Sequence, residues 1–230
     1  KGLLEPDSGM IALGGRKREG AGPDPEIGIL FSNPENQLVT SIVEEDVAFG
    51  LEVRGERPEN IRHKVRDVLA RLGIDHLRRR MPHLLSGGEQ QMAALAGVLV
   101  MDPDILVLDE PTAYLDPDAR LRVMKTLDGL TAQGKTILLI THDMKEAAQA
   151  DRVVLFDQGR IASEGAPDLF FSRPGLAERY GVVPPFLLRL VLAMRSAGFA
   201  VPWPQDVKSL AAAVLPLDRE RIRTDGHLDA

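Results

Sequence analysis

The chain has 230 residues, about one and a half times the ~150 of a typical domain, which points to one large domain with a small appendage. Hydrophobic residues make up 44% and charged residues 27%, so wholesale disorder and collagen-like repeats are excluded. A net charge of -6 and an aromatic content of 4% argue against nucleic acid as a partner, since neither a general phosphate-binding surface nor stacking platforms are available.

The chain has no cysteine, so no disulfide, thiolate nucleophile or Cys-based zinc site can form. The best apolar runs, Ala93–Met101 and Phe186–Met194 (broken by Arg189), fall well short of the ~20 residues of a transmembrane helix. No signal-peptide pattern is present. The first residue is Lys1 rather than Met, so the expectation is a processed or incomplete piece of a longer protein.

In chain order, Ile27–Phe31 is a short apolar run and is predicted to be a strand. Ile61, Val65, Val68, Leu69 and Leu72 recur at helical spacing, which predicts a helix from Pro58 to Leu72 stopped by Gly73. Leu85-Ser86-Gly87-Gly88-Glu89-Gln90 carries a capping box, Ser86 with Glu89, so a helix should start there. Two glycines in its first turn permit close approach to the backbone, and a helix N-terminus attracts anions. A well-capped helix with a glycine turn is the plainer reading of the same hexapeptide.

Ile105–Leu108 is a buried strand that delivers Asp109 and Glu110 to its carboxyl end, the edge where parallel sheets bind ligands. Asp109 suits Mg²⁺, usually through water, and Glu110 suits orienting and deprotonating a water. Asp116-Pro117 opens the next helix as N-cap and first position, with Leu121, Met124 and Leu127 facing inward. Thr136–Ile140 and Val153–Phe156 are further apolar runs. Continuous apolar strands between helices predict a parallel sheet covered on both faces. Thr136–Ile140 leads into Thr141-His142-Asp143, which puts His142 at the edge that carries the acidic pair. His63, His76, His83 and His227 keep a structural reading.

Asp157-Gln158-Gly159-Arg160 reads as a hairpin turn returning through Ile161-Ala162-Ser163. Beyond Ala166 prolines punctuate short helices, with Phe186–Ala197 and Val207–Leu215 expected to be helical and 218–230 polar and frayed.

Taken together these segments resemble an ATP-binding cassette (ABC) ATPase. Leu85–Gln90 looks like the family signature, Leu108-Asp109-Glu110 like its Walker B segment with the catalytic glutamate, Tyr114-Leu115-Asp116 like the D-loop, and His142 like the switch histidine. Order and spacing match over nearly the whole chain. A narrower resemblance joins Asn33–Leu38 and Val43–Gly50 to the segment after the Q-loop of energy-coupling factor (ECF) transporter ATPases, which drive prokaryotic import of cobalt, nickel and vitamins. Gly165-Ala166-Pro167 onward looks like that group's appended helical domain, which contributes to dimer contacts.

The resemblance implies an α/β, P-loop NTPase-like ABC cassette with a parallel sheet core and a helical subdomain, N-terminally incomplete, plus a small helical C-terminal domain. It divides the chain into 1–165, with the signature subdomain at about 50–100, and 166–230. It implies ATP and Mg²⁺, with Glu110 and His142 catalytic and Asp109 on the metal. Ser86, Gly87, Gly88, Asp116 and Ser32 would serve nucleotide binding. Implied partners are a second ATPase subunit, identical or a paralogue, a transmembrane coupling subunit and a substrate-binding membrane subunit. The place is peripheral, on the cytoplasmic face of the membrane. Glu44–Asp46 is read as docking to a basic coupling helix, with a solvated acidic face as the plainer alternative. Arg78-Arg79-Arg80 is read as a solvated basic face, with lipid headgroups or a partner as the alternative.

Two departures qualify the resemblance. No G-x-x-x-x-G-K-[ST] occurs, so no loop of the Walker A kind can cradle the β and γ phosphates. Lys1–Gly9 resembles the stretch just after the P-loop helix, and Gly14-Gly15-Arg16-Lys17-Arg18 does not lead into a helix ending in Lys-Ser/Thr. The second departure is Ser32, where the family usually has a glutamine that reaches the metal and the attacking water. The expectation is that the complete protein hydrolyses ATP and that residues 1–230 alone do not. The alternative is a non-hydrolytic interaction subunit that lends Ser86–Gly88 to a partner cassette.

Overall fold

Burial of the strand residues Leu30, Leu106 and Leu108 under the helix that follows Ser86 organises the N-terminal part of the chain. The structure, a computed structural model, describes residues 6–17, 22, 24–203 and 207–214. It divides into two compact units, Lys1–Ile140 and Thr141–Ala230.

The first unit opens with a small antiparallel hairpin, β1 (Ala12–Leu13) and β2 (Arg16–Lys17). Its centre is a three-stranded parallel sheet in the order β3 (Ile27–Leu30), β4 (Ile105–Asp109), β5 (Thr136–Ile140). The register pairs Leu30 with Leu108, Leu108 with Leu139, and Asp109 with Ile140.

Among the described residues of this unit four segments are α-helical. Helix α1 (Val43–Val53) has no side-chain cap, and its first N–H groups instead donate to the backbone of the arginine cluster, Val43 N to Arg80 O at 3.0 Å and Glu44 N to Arg78 O at 2.9 Å. Helix α2 (Pro58–Leu72) begins with proline at its first position and ends at Gly73, whose φ of 74° is the left-handed stop that glycine adopts most easily. Its periodic residues Ile61, Val65, Val68, Leu69 and Leu72 are all buried, as the spacing predicts. Helix α3 (Gly87–Leu99) is capped by Ser86 and is apolar nearly all round, which fits a helix at the centre of a core. Helix α4 (Pro117–Ala132) is capped by Asp116.

Helix α3 lies tight against β3. A Cβ on Gly28 would meet Val98 Cγ1 and Pro103 Cγ at 2.7 Å, so only glycine permits this approach. Arg54 donates to the carbonyls of Met101 and Pro25, and Lys135 Nζ pairs with Asp104 at 2.9 Å and Asp102 at 3.1 Å. These contacts pin the end of the sheet away from Asp109.

Three expectations need correction. Among the described residues the sheet is covered on one face. Leu106 and Leu108 are buried, with Ile137 and Leu139 packed against them, but the alternate positions include Leu138, 56% exposed, and Ile140, 48% exposed. Apolar runs show that a strand is fit for burial, not what lies over each face. The Val153–Phe156 run is not part of the parallel sheet; it pairs antiparallel with the strand after it. Leu121 does not face inward but is 53% exposed, because the buried line of α4 is Ala119, Val123, Leu127 and Leu130, and Leu121 lies about 120° round the helix from Leu127 at ~100° per residue.

The second unit contains a short helix α5 (Met144–Ala147) and a hairpin of β6 (Val153–Asp157) and β7 (Arg160–Gly165). The hairpin turns at Gln158 and Gly159, both at positive φ, as the Asp-Gln-Gly-Arg sequence predicts. Helices α6 (Pro167–Phe171), α7 (Leu176–Tyr180) and α8 (Phe186–Ser196) follow, with a further helical stretch at 207–214. Phe170 packs edge-on to Phe171, which stacks against Trp203, and a second cluster joins Val191, Val201 and Leu210. Residues 1–5 and 215–230, including His227 and the expected polar tail, lie outside the described residues.

Candidate functional site

The carboxyl end of β4 carries Asp109 and Glu110, both partly buried. Glu110 turns the chain sharply: its φ is 50°, in the left-handed region that a residue with a Cβ seldom adopts. Its N–H donates to Ile140 O at 2.9 Å, tying it to the end of β5. Its carbonyl accepts from Ala113 N at 3.2 Å, and Leu115 N donates to Thr112 O, so the segment from Glu110 to Leu115 is two tight turns. That coil leads into Asp116. The Asp116 carboxylate accepts from the N–H groups of Ala119 and Asp118, both at 2.9 Å. These bonds, Ala119 first, hold its pKa below the ordinary carboxylate value.

The first turn of α3 lies against this coil. The Ser86 backbone N–H donates to Glu89 Oε2 at 2.8 Å, and the Ser86 hydroxyl and the Glu89 N–H complete the predicted capping box. The Ser86 hydroxyl chiefly, then its N–H, holds the Glu89 carboxyl below its ordinary pKa. A Cβ on Gly88 would stand 2.7 Å from Tyr114 O, whereas one on Gly87 would make only ordinary contact with the Tyr114 ring at 3.9 Å. Gly88 therefore has a packing reason within the chain. The N–H groups of Gly87 and Gly88 have no partner inside the helix, as at any helix start.

Ser32 lies two residues beyond Leu30, the last residue of β3, which pairs with Leu108, so it follows the end of the strand next to β4 and is exposed. The loop after it is held by Gln37, whose Oε1 accepts from Phe31 N at 3.1 Å and whose Nε2 donates to Ile29 O at 3.3 Å. His142 belongs to the second unit and is exposed. Beside it Thr141 Oγ1 donates to the buried Glu146 at 2.7 Å, and Asp143 caps α5 through Lys145 N. The first unit thus carries Asp109, Glu110, Asp116, Ser86, Gly87, Gly88 and Ser32, and Gly88 at Tyr114 O joins the start of α3 to the coil after the acidic pair.

Among the described residues no group of three or more His, Asp or Glu could hold a metal ion. Asp109 instead suits a Mg²⁺ that arrives with a nucleotide, since such an ion takes one or two carboxylates and keeps water and phosphate oxygens for its other positions. The donor set fits that ion and does not fit one caged by protein alone.

Two of the three carboxylates in Glu44–Asp46 are engaged within the chain. Glu44 pairs with Arg78 at 3.0 Å, and Asp46 Oδ1 accepts from Val39 N and Thr40 N at 2.7 and 2.9 Å. Arg78 is accordingly an ion-pair partner rather than part of a solvated basic face. Next to Asp46 a cleft of about 230 Å³ is lined by Gln37, Val39, Phe49, Arg54 and Met101. Val39 and Phe49 are 68% and 49% exposed.

The family profile described as ABC transporter matches residues 1–113. The energy-coupling factor transporter ATP-binding protein EcfA1 of Halalkalibacterium halodurans is 41% identical over 201 residues, covering 86% of this chain and 72% of that protein. The chain belongs to the ABC transporter ATP-binding proteins, in their energy-coupling factor branch. EcfA1 of Clostridium perfringens is 48% identical over 172 residues, covering 74% of this chain and 61% of that protein. The solved structure of cbiO1 from Clostridium perfringens, part of the ABC transporter complex cbiONQ, aligns with a TM-score of 0.65 at 36% identity, over 84% of this chain and 79% of that one. The dimeric ATP-binding cassette MJ0796 in a post-hydrolysis state with ADP and Pi aligns with a TM-score of 0.66 at 25% identity, over 72% of this chain and 76% of that one.

The ABC cassette fold and the family, both expected from the motifs, are thus established. No described helix is long and apolar enough to cross a membrane. Sequence alone assigns no role to Gln37 or to the buried Gln91 in α3. Gln91 had a usable signal, an amide just before the apolar run Met92–Leu95. Gln37 had none, because only the folded loop returns it to β3.

Proposed function

We propose that this chain is the ATP-hydrolysing subunit of an energy-coupling factor type importer of a metal ion or vitamin, peripheral to the cytoplasmic face of the membrane. The observation that carries the reading is the adjacent pair Asp109 and Glu110 at the end of the central strand, packed through Tyr114 O against the first turn of α3. Two such cassettes, identical or paralogous, would face each other. The Ser86–Gly88 turn of one would then contact a nucleotide held by the other. Asp109 would hold Mg²⁺, which when bound neutralises charge on the phosphates. Glu110 would accept a proton from the attacking water, and His142 would contact the γ-phosphate. Ser32, shorter than glutamine, would reach the metal through a water. Asp116 caps α4 and would hold the turn that faces the partner cassette.

Phosphoryl transfer is mostly positioning and charge stabilisation, so these groups act only where a phosphate cradle is supplied. Residues 1–230 carry no G-x-x-x-x-G-K-[ST], and on this reading they release no phosphate by themselves. The exposed apolar residues Val39 and Phe49 beside the cleft support docking of a helix from a membrane coupling subunit there, with Glu45 as the exposed acidic neighbour. A separate membrane subunit would bind the transported solute.

The test is phosphate release by the transporter assembly that contains this chain. Glu110→Gln should lower kcat by about 10²- to 10⁴-fold, the usual worth of a positioned general base. An unchanged rate would overturn the assignment. The N–H groups left open in the first turn of α3 would equally serve a second reading, a non-hydrolytic subunit that lends this turn to a partner. In that case the chain should raise the ATPase rate of a Walker A-bearing cassette, and Gly88→Asp should remove the effect.

A further inference from the structure

We infer that Gln91 is a positioning residue for Glu110, linking the α3 turn that would serve one nucleotide to the carboxylate that would serve the other; the inference rests on the catalytic reading of Glu110 above. Gln91 is fully buried, at 0% exposure, and its Nε2 donates to Glu110 O at 3.4 Å. It lies three residues beyond Gly88, so both occupy one face of α3. That face meets the coil twice, Gly88 at Tyr114 O and Gln91 at Glu110 O. Glu110 is held from both sides of its left-handed backbone, its N–H by Ile140 and its carbonyl by Ala113 and Gln91. Holding that carbonyl holds ψ of Glu110, and the N–H bond to Ile140 O anchors the φ side, so together they fix the backbone from which the side chain departs. A displacement of the α3 turn would therefore be passed to Glu110 through a rigid amide.

The other end of the same side chain argues that stability is not the reason for a glutamine here. Gln91 Oε1 is buried with no hydrogen-bond partner. An apolar side chain of equal length would avoid that penalty. A group retained against stability at the back of a candidate catalytic residue is the pattern expected of a functional constraint.

Gln91→Met preserves length and volume and removes the donor. Two measurements test it. In the isolated 230-residue chain, hydrogen exchange of the Glu110 N–H should be at least about tenfold faster, with the Leu108 N–H unchanged and the melting temperature not lowered. In the transporter assembly, kcat should fall by about 10- to 100-fold with KM for ATP within about twofold, as for a misplaced reacting group. Placed in a Glu110→Gln background, Gln91→Met should change the residual rate by less than about twofold. Unchanged exchange at Glu110 overturns the clamp. Faster exchange with an unchanged kcat, where Glu110→Gln alone is inactive, overturns the positioning role. Insensitivity of the rate to Glu110→Gln overturns the parent reading instead, and the positioning role with it.

Discussion

Gly87 and Gly88 stand side by side in the first turn of α3 and answer to different physics. At Gly87 a Cβ meets only a tyrosine ring at ordinary contact distance; at Gly88 it meets a backbone carbonyl at 2.7 Å. Gly87→Ala should therefore be neutral or gain up to about 1 kcal/mol from helix propensity. Gly88→Ala should cost about 1–3 kcal/mol, since Tyr114 cannot give way without moving the turn. Urea unfolding of the two variants checks the contrast. The capping carboxylates add a pH signature. The pKa values of Glu89 and Asp116 are both lowered by the N–H and O–H groups they accept from. The unfolded chain thus binds their protons more readily than the folded one. Their stabilisation is complete above the ordinary values of 4.5 and 3.8, and is lost as pH falls through the lower folded values. Asp116→Ala should lower stability near neutrality, since α4 loses its side-chain cap. The gap between variant and parent should narrow in unfolding curves as acid protonates the cap.

Among the elements, the parallel sheet shows how burial differs for neighbouring leucines of one sequence type. Leu108 is fully buried under α3, while Leu138, one strand away and on the other face, is 56% exposed. Leu108→Ala should cost about 2–5 kcal/mol. Leu138→Ala should cost well under about 1 kcal/mol in the same chain, as a surface substitution does. Equal losses in chemical denaturation would mean that the exposed face is covered in solution. Helix α1 makes a related point. It lacks a side-chain cap and is started by carbonyls of Arg78 and Arg80, more than thirty residues away in the chain. No local signal marks such a start, which is why the segment reads in sequence as a family resemblance and an acidic stretch, not as a helix.

For the molecule as a whole, the proposed chemistry draws on a phosphate cradle that residues 1–230 do not carry. The α3 turn and the acidic strand end are present here, and the phosphate cradle must come from a segment of the Walker A kind. Phosphate release by the 230-residue chain alone should thus equal that of its Glu110→Gln variant, whereas in the assembly the two should differ by about 10²-fold or more. A colorimetric phosphate assay at matched protein concentration separates the cases. Activity of the isolated chain that Glu110→Gln abolishes would require another source of phosphate-binding groups within these residues.

The sequence by itself determined the features that depend on local periodicity and capping. The start of α3 at Ser86, the stop of α2 at Gly73, the Asp116-Pro117 start of α4 and the turn at Gln158-Gly159 all follow from residue type at fixed spacing. So do the acidic pair after Ile105–Leu108 and, through four motifs in order, the family. Tertiary structure alone decided what depends on contact across distance. It decided that Glu110 takes a left-handed backbone, that Gly88 is needed by Tyr114, that Asp46 and Glu44 are engaged within the chain, and that Gln91 reaches the carbonyl of Glu110. A residue's periodicity is fixed by its own strand or helix. Its partner is fixed by which other segment the core brings against it, and that information is spread over the whole chain.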